Sequence, residues 1–339
     1  MKNFRYFSLI SFMLFTLPTV SIFAFTNFQF SAESGLYQTQ NSAQHTNLNM
    51  VSRFSGGLKL QESTSNSMWT ISLQVNPDFY QGDFSYSSVK FFARGQYIQK
   101  KNKWQWGAGF DARKYSYFSE VRNPTFDLFK LDGFFSFLIT STWQFSINPS
   151  YYYRDLATQK LDAFATLFHL VTPIRQHTSL GFGSYLEHFE LQADFLPAIS
   201  QTSQTNNGWR LGPEFTFTYL KKVYFNLHYL YLWHSSRITR TPSFEQYLRL
   251  LFSRQLSTNW IIFFIVDYFW NDIHLLENYH EGLDYVPYEN ENHIDVKLEK
   301  LIRKNLFLSV RAGYFKDNFI LSEFSIEGWQ ALIGLDFEP

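Results

Sequence analysis

The stretch Trp143–Tyr153, which reads WQFSINPSYYY, alternates large apolar residues with small polar ones for eleven positions. Trp143, Phe145, Ile147 and Pro149 fall on one side of this alternation, and Gln144 opens the other side. A period of two places successive side chains on opposite faces of a β-strand. Strands of soluble sandwiches average about 5–6 residues. A strand of ten or more residues with one continuous apolar face is typical of a membrane β-barrel.

The same alternation recurs along the chain, for example from Trp69, from Trp104 and from Leu306. Sixteen such segments can be counted, centred near residues 32, 53, 73, 94, 108, 132, 148, 168, 184, 215, 228, 250, 264, 297, 310 and 332. This repetition predicts an all-β fold, a transmembrane antiparallel up-and-down barrel of about sixteen strands. An even number of strands places both chain ends on the same side, which we expect to be the periplasm.

The predicted connections alternate in length, as they do in outer-membrane barrels. Those after even-numbered strands are short: Glu62–Ser67, Lys101–Lys103, Ser141–Thr142, Gln176–His177, Lys221–Lys222, Ser257–Thr258 and Lys304–Asn305. Those after odd-numbered strands are mostly longer, and the longest predicted are Pro197–Gly208 and Asn271–Asn292. The third, Tyr115–Pro124, is short for a loop that would fold into a pore. The seventh is acidic and aromatic, which fits a solvated outside loop, a gate, or a contact with polysaccharide or a partner.

The N-terminal segment has the pattern of a Sec signal peptide, with Lys2 and Arg5 before an apolar run that ends at Ala24. We therefore predict a signal peptide over residues 1–24 and a barrel domain over residues 25–339. The chain has 29 basic and 29 acidic residues, so removing Lys2 and Arg5 leaves 27 against 29 and a net charge of −2. This balance argues against a nucleic-acid partner. Cysteine is absent, which excludes disulfides and thiolate metal sites.

Aromatic residues make up 20% of the chain, more than a soluble core requires. Tryptophans concentrate at membrane–water boundaries, and here they follow the predicted turns. Trp69, Trp104, Trp143 and Trp260 come just after short turns, whereas Trp209, Trp233 and Trp270 lie toward the other strand ends. Two aromatic girdles are therefore predicted.

These features resemble the outer-membrane β-barrel proteins of Gram-negative bacteria, porin-like in size. Such proteins usually end in a strand with a terminal aromatic residue, and here Trp329, Ile333, Leu335 and Phe337 alternate toward the end, with Glu338 and Pro339 after them. The resemblance implies export through the Sec pathway to the outer membrane. It also implies contact with the barrel-assembly machinery, outer-membrane lipid and lipopolysaccharide, and passage of small solutes without a cofactor or a metal. Oligomeric state is left open.

Charged residues on the polar face belong inside the barrel, because a charge facing lipid near the midplane costs about 2–4 kcal/mol. The predicted pore-lining residues are Lys90, Arg94, Asp111, Arg113, Arg154, Arg210, Glu214, Arg249, Asp267 and Arg311. Mixed signs predict an open and weakly selective pore. The alternative is that these residues pair with one another and partly plug the lumen. Ile261, Phe263, Ile265 and Phe269 are also predicted to face inward, which indicates packing against a loop, a partner or an apolar solute.

Two other functions stay open at the level of sequence. One is a surface or export barrel that secretes a polymer or docks a partner. The other, weaker, is a membrane lipid hydrolase, since His234-x-Ser236 resembles the His-x-Ser element of outer-membrane phospholipases and lipid A deacylases. Alternation sends both side chains inward, whereas those enzymes present the pair to lipid. We therefore expect no enzymatic activity.

Overall fold

In the computed structural model, residues 25–40, 46–81, 87–118, 126–156, 159–194, 203–276, 291–317 and 326–337 are described. They form sixteen antiparallel strands: β1 (Phe25–Gln40), β2 (Thr46–Ser63), β3 (Ser67–Tyr80), β4 (Ser88–Lys101), β5 (Trp104–Tyr117), β6 (Phe126–Leu138), β7 (Gln144–Leu156), β8 (Gln159–Arg175), β9 (Thr178–Asp194), β10 (Ser203–Leu220), β11 (Val223–Ser236), β12 (Thr239–Ser257), β13 (Trp260–Leu275), β14 (Glu291–Arg303), β15 (Leu306–Asp317) and β16 (Ile326–Phe337). The predicted signal peptide, the acidic part of the seventh loop, Glu338 and Pro339 lie outside these ranges.

The sheet closes on itself, because each strand pairs with its sequence neighbours and β1 pairs with β16. This closing pair runs from Phe30 opposite Phe337 to Gln40 opposite Glu327. Closure leaves no unpaired edge, which a strand structure inside lipid requires. The prediction of a sixteen-strand antiparallel barrel is confirmed, and every predicted strand centre falls inside its strand. No helix in the described part of the chain is long and apolar enough to cross a membrane.

The connections after odd-numbered strands are mostly longer, although only two residues join β11 to β12. The turns after even-numbered strands lie together at the opposite end of the barrel, and several are only two residues long. Asn102 and Asn305 lie in such turns with φ of 49° and 71°. Asparagine tolerates this left-handed conformation, which tight hairpin turns often use. The start of β1 and the end of β16 lie at this same end, because Phe25 pairs with Gln61 just before a short turn. That this end faces the periplasm stays a prediction.

The predicted loop limits were too wide in three places. Pro197–Gly208 was expected to be a loop, yet β10 begins at Ser203 and pairs its polar residues with β9. The error came from taking polar residues such as Asn206 for loop residues. Asn206 lies on a strand and is fully buried inside the barrel, where inward-facing strand positions can be polar. Likewise, β13 continues to Leu275 beyond the predicted start of the Asn271–Asn292 loop, and β5 continues to Tyr117 beyond the predicted start of the Tyr115–Pro124 loop.

The outer surface of the barrel carries large apolar side chains at alternate positions. Phe164, Ile333 and Trp329 are each more than 60% exposed to the surroundings, far beyond what a soluble surface tolerates in such number. The chain thus has the architecture of an outer-membrane-type β-barrel of porin-like size. Its apolar belt is stable when lipid, and not water, covers it.

The inside of the barrel is not uniformly polar. Tyr152, Leu161, Ala163, Phe189 and Leu191 form one buried apolar cluster on β7–β9. Further around the wall, a second cluster gathers on β1, β2, β15 and β16: Tyr37, Val51, Phe315 and Leu332. Both clusters lie toward the long-connection end of their strands, as the early position of Leu161 in β8 shows. The polar section of the lumen therefore lies below them, around the middle of the barrel.

Candidate functional site in the barrel lumen

A cavity of about 740 Å³ lies inside the barrel and takes lining residues from fifteen of the sixteen strands. Alternation along each strand explains this, since every second residue faces inward. A sixteen-strand barrel is wide enough to leave an aqueous channel unless side chains or loops fill it. The cavity is therefore the candidate site, and its charged side chains decide what it can admit.

Six of the ten predicted pore-lining residues border this cavity: Lys90, Arg113, Arg210, Arg249, Asp267 and Arg311. Arg94 and Asp111 lie beside it, where Asp111 joins two arginines. Its carboxylate is 3.2 Å from Arg94 Nε and 2.7 Å from an Arg113 terminal nitrogen. Arg154 and Glu214 share the inward parity of their strands but are buried and are not part of the cavity lining. Whether the bordering residues line a conducting path stays a prediction.

Several lining residues lie at inward positions that the sequence reasoning did not single out. They are Glu33, Arg53, Asp78, Lys130, His228 and His293. Alternation could have identified them, because the side chains that face inward lie two residues apart along each strand. Arg53, for example, donates to the side-chain oxygen of Gln330 across the closing strands at 3.1 Å. That contact joins β2 and β16, and sequence alternation alone does not predict it.

Most of the charges around the cavity are paired. Lys90 Nζ lies 3.2 Å from Asp78, and Arg311 lies 3.4 Å from Glu33. Arg249 donates through Nε to Asp267 on the adjacent strand. Inward charges thus pair with one another, and a cavity still remains between them. That this cavity belongs to an open pore stays a prediction.

A buried network of charged groups lies on β9–β12. Arg210 donates to both carboxylate oxygens of Glu187 at 3.0 Å, and through Nε to both oxygens of Glu245 at 3.1 Å. His234 bonds Glu245 through Nδ1, and Tyr247 donates to the same carboxylate at 3.0 Å. Both carboxylates are fully buried. Each charged member of this network is costly to remove, because its loss would leave a buried opposite charge without a partner.

This network bears on the His234–Ser236 pair. His234 is buried, turned into the barrel against Phe189 and bonded to Glu245. The Ser236 hydroxyl donates instead to the Thr239 hydroxyl at 3.3 Å. The hydrogen bonds seen for the two side chains run to different partners, which is not the arrangement of a nucleophile and its base. Absence of catalysis remains an expectation.

Aromatic rings are interleaved with the cations on β4 and β5. The Phe92 ring lies 5.3 Å from the Arg94 guanidinium and 5.8 Å from that of Arg113, within range of cation–π attraction. Lys90 Nζ lies 5.6 Å from the centre of the Tyr115 ring. We call these five residues, together with the neighbouring cations Arg53 and Lys130 on β2 and β6, the basic wall. On the far side, Phe269 packs against Tyr247, with ring centres 4.6 Å apart.

The predicted girdle tryptophans occupy opposite ends of their strands. Trp104 and Trp260 open β5 and β13 directly after short turns, and Trp143 immediately precedes β7. Trp69 is the third residue of β3, and its Nε1 donates to Glu62 across the turn at 2.8 Å. At the other end, Trp209 pairs with Ser235, near the end of β11. Trp233 and Trp270 also lie toward that end, opposite Phe244 and Gln246 of β12. Their role as interfacial girdles stays a prediction.

No group of three or more histidine or acidic side chains suited to a metal ion occurs among the described residues.

Comparison with known proteins gives a likeness of shape only. No family model matches the chain, and no curated protein matches it. Among solved structures, CdiB from Acinetobacter baumannii is 11% identical with a TM-score of 0.49, and the match covers 93% of this chain but 60% of CdiB. OprB from Pseudomonas putida is 10% identical with a TM-score of 0.43 and 93% of each chain covered. A bacterial polysaccharide outer membrane secretin is 6% identical with a TM-score of 0.44, covering 94% of this chain and 99% of the other. These comparisons give no function for the chain, which has to be inferred from its own side chains.

Proposed function

We propose that this chain is an outer-membrane channel through which small solutes diffuse passively. The observation that supports this most directly is the cavity of about 740 Å³ inside a closed barrel whose outside is apolar. Charged and phenolic side chains surround that cavity on nearly every strand. Such groups can take the place of water around ions and polar solutes that cannot enter lipid. No step of chemistry is needed, because the concentration gradient drives the solute.

The same proposal includes the location and partners of the protein. A signal peptide over residues 1–24 would direct export through the Sec pathway. The barrel-assembly machinery would insert the sheet, and outer-membrane lipid with lipopolysaccharide would cover the apolar belt. The exposed tryptophans at the strand ends, among them Trp104 and Trp209, are suited to the two membrane–water boundaries.

A non-channel barrel is the second candidate, and a specific observation favours it. Arg154, Arg210, Glu187 and Glu245 are all at most 2% exposed, although they point into the barrel. Charges that water reaches so little belong to a filled part of the lumen. If this filling were continuous, the barrel would serve as a scaffold for a surface or export role.

Single-channel recording in planar lipid bilayers distinguishes the two candidates. We expect the purified barrel to give current steps of uniform size in potassium chloride, because water and ions occupy the cavity. The matched control is the same detergent without protein. Bilayers that stay silent after insertion, with insertion verified by protease protection of the added protein, would contradict the channel and support the scaffold.

A further inference from the structure

The charge that borders the lumen cavity is not balanced. Seven cations line it, namely Arg53, Lys90, Arg113, Lys130, Arg210, Arg249 and Arg311, against five carboxylates. The cavity lining in the described part of the chain therefore has a net charge of +2 with its histidines neutral. Three further carboxylates, those of Asp111, Asp132 and Glu245, pair with cations of this set from positions outside the lining, so the excess is confined to the groups that border the cavity directly.

Exposure strengthens the imbalance. In the pair of Arg94 and Asp111 the arginine side chain is 47% exposed and the aspartate 14%. For Arg249 and Asp267 the values are 59% and 22%. The pairs of Lys90 with Asp78 and of Arg311 with Glu33 show the same order, whereas Lys130 with Asp132 and Lys297 with Asp336 show the reverse. A solute in the cavity therefore meets mainly cations, because most of the carboxylates lie behind them.

Positive charge and aromatic surface coincide on the basic wall. Phe92 lies beside the guanidinium groups of Arg94 and Arg113, and Tyr115 packs edge-to-face against Phe92 with ring centres 5.9 Å apart. An arginine binds a carboxylate through parallel hydrogen bonds, and a ring beside it can stack on a second ring. A solute with both features satisfies both parts of the wall at once.

We propose that the lumen selects small organic anions that carry an aromatic ring, with the carboxylate on Arg94 or Arg113 and the ring on Phe92. This inference rests on the proposed channel function and names its solute class. The mechanism is attraction without capture, because Asp111 already holds both arginines and competes with the solute carboxylate. Such competition allows the solute to leave as well as to enter.

The test is ion selectivity measured in planar bilayers across a potassium chloride gradient. We expect the unaltered barrel to favour chloride over potassium. Arg94→Glu should lower that permeability ratio by roughly threefold or more, since a charged lining sets the local concentration of mobile ions. Arg94→Gln should lower it less, and it provides the answer if the glutamate variant does not assemble. Lys114→Glu is the matched control, because Lys114 lies on the outer parity of β5, 56% exposed and paired with Asp127.

Solute class is then tested with three small probes in a vesicle-swelling assay, and the rate of each probe is compared between the unaltered barrel and Phe92→Leu. Benzoate carries the ring and the charge, acetate the charge alone, and benzyl alcohol the ring alone. We expect benzoate to enter fastest relative to its rate through protein-free vesicles, and Phe92→Leu to remove its advantage over acetate while chloride preference remains.

The outcomes separate the two proposals. Steady current steps without anion preference would overturn the anion inference and leave the channel intact, whereas absence of steps would overturn the channel itself. Equal effects of Arg94→Glu and Lys114→Glu would show that the basic wall does not lie on the path. Equal effects of Phe92→Leu on the entry of benzoate and of acetate would overturn the aromatic part.

Discussion

Arg210→Met should destabilise the barrel by about 3–5 kcal/mol, the cost of leaving a buried charge without its partner. Two carboxylates depend on this arginine, since it binds Glu187 on the adjacent β9 and Glu245 on β12, two strands away, and both are fully buried. Methionine has a similar length without charge, so volume changes little. The measurement is the urea midpoint of unfolding in phospholipid vesicles, followed by tryptophan fluorescence.

Arg249→Met is the matched control for this prediction. Arg249 also pairs with a carboxylate across neighbouring strands, but its side chain is 59% exposed in the lumen. An ion pair so open to water contributes at most about 1 kcal/mol. If the two variants unfolded at the same urea concentration, the network on β9–β12 would not be the rigid part of the wall. Adding Glu187→Gln and Glu245→Gln to Arg210→Met should recover much of the loss, because no buried charge then lacks a partner.

Leu73→Arg should cost about 2–4 kcal/mol of stability in the membrane, the penalty for a cation facing lipid near the middle of a barrel strand. Leu73 lies at the centre of β3 and is 52% exposed on the outer surface. Its strand neighbour Gln74 points the other way and donates to the Ser55 hydroxyl inside the barrel at 2.8 Å. The same urea titration in vesicles measures the difference.

Gln74→Arg provides the control one residue away, since it adds the same side chain to the opposite face. We expect a loss below about 1 kcal/mol, because water reaches lumen charges and screens them. A larger loss from Gln74→Arg than from Leu73→Arg would mean that the inward and outward faces have been exchanged throughout the sheet, since one shift in parity reverses every strand position.

Alternation in the sequence was sufficient to predict the strands and to assign their side chains to the inward or the outward face. Trp143–Tyr153 shows why, because a lipid-facing side and a water-facing side impose opposite demands at every second residue. The alternation also placed His234 inside, where the structure has it. Loop limits were less predictable. The polar run before Gly208 resembles a loop, yet Asn206 is a lumen residue on β10.

Contacts between distant strands could not be predicted from alternation. Glu245 has the inward parity of Arg249, but only the register of β10, β11 and β12 brings it to Arg210 and His234. The buried apolar clusters were missed for a similar reason. Leu161 and Phe189 follow the inward parity of their strands, but the sequence indicated inward apolar side chains only on β13, not on β7–β9.

The absence of cysteine makes one direct test of the central claim possible, since a single introduced thiol is then unique. Arg94→Cys places that thiol at the basic wall, and Ala93→Cys places it one residue away on the outer parity of β4. Both variants are exposed to a small anionic methanethiosulfonate while single channels are recorded. If solutes pass through the lumen along the basic wall, the reagent will step down the current of Arg94→Cys and leave that of Ala93→Cys unchanged. Labelling of Arg94→Cys without any change in current, or an equal change in both variants, would contradict the account.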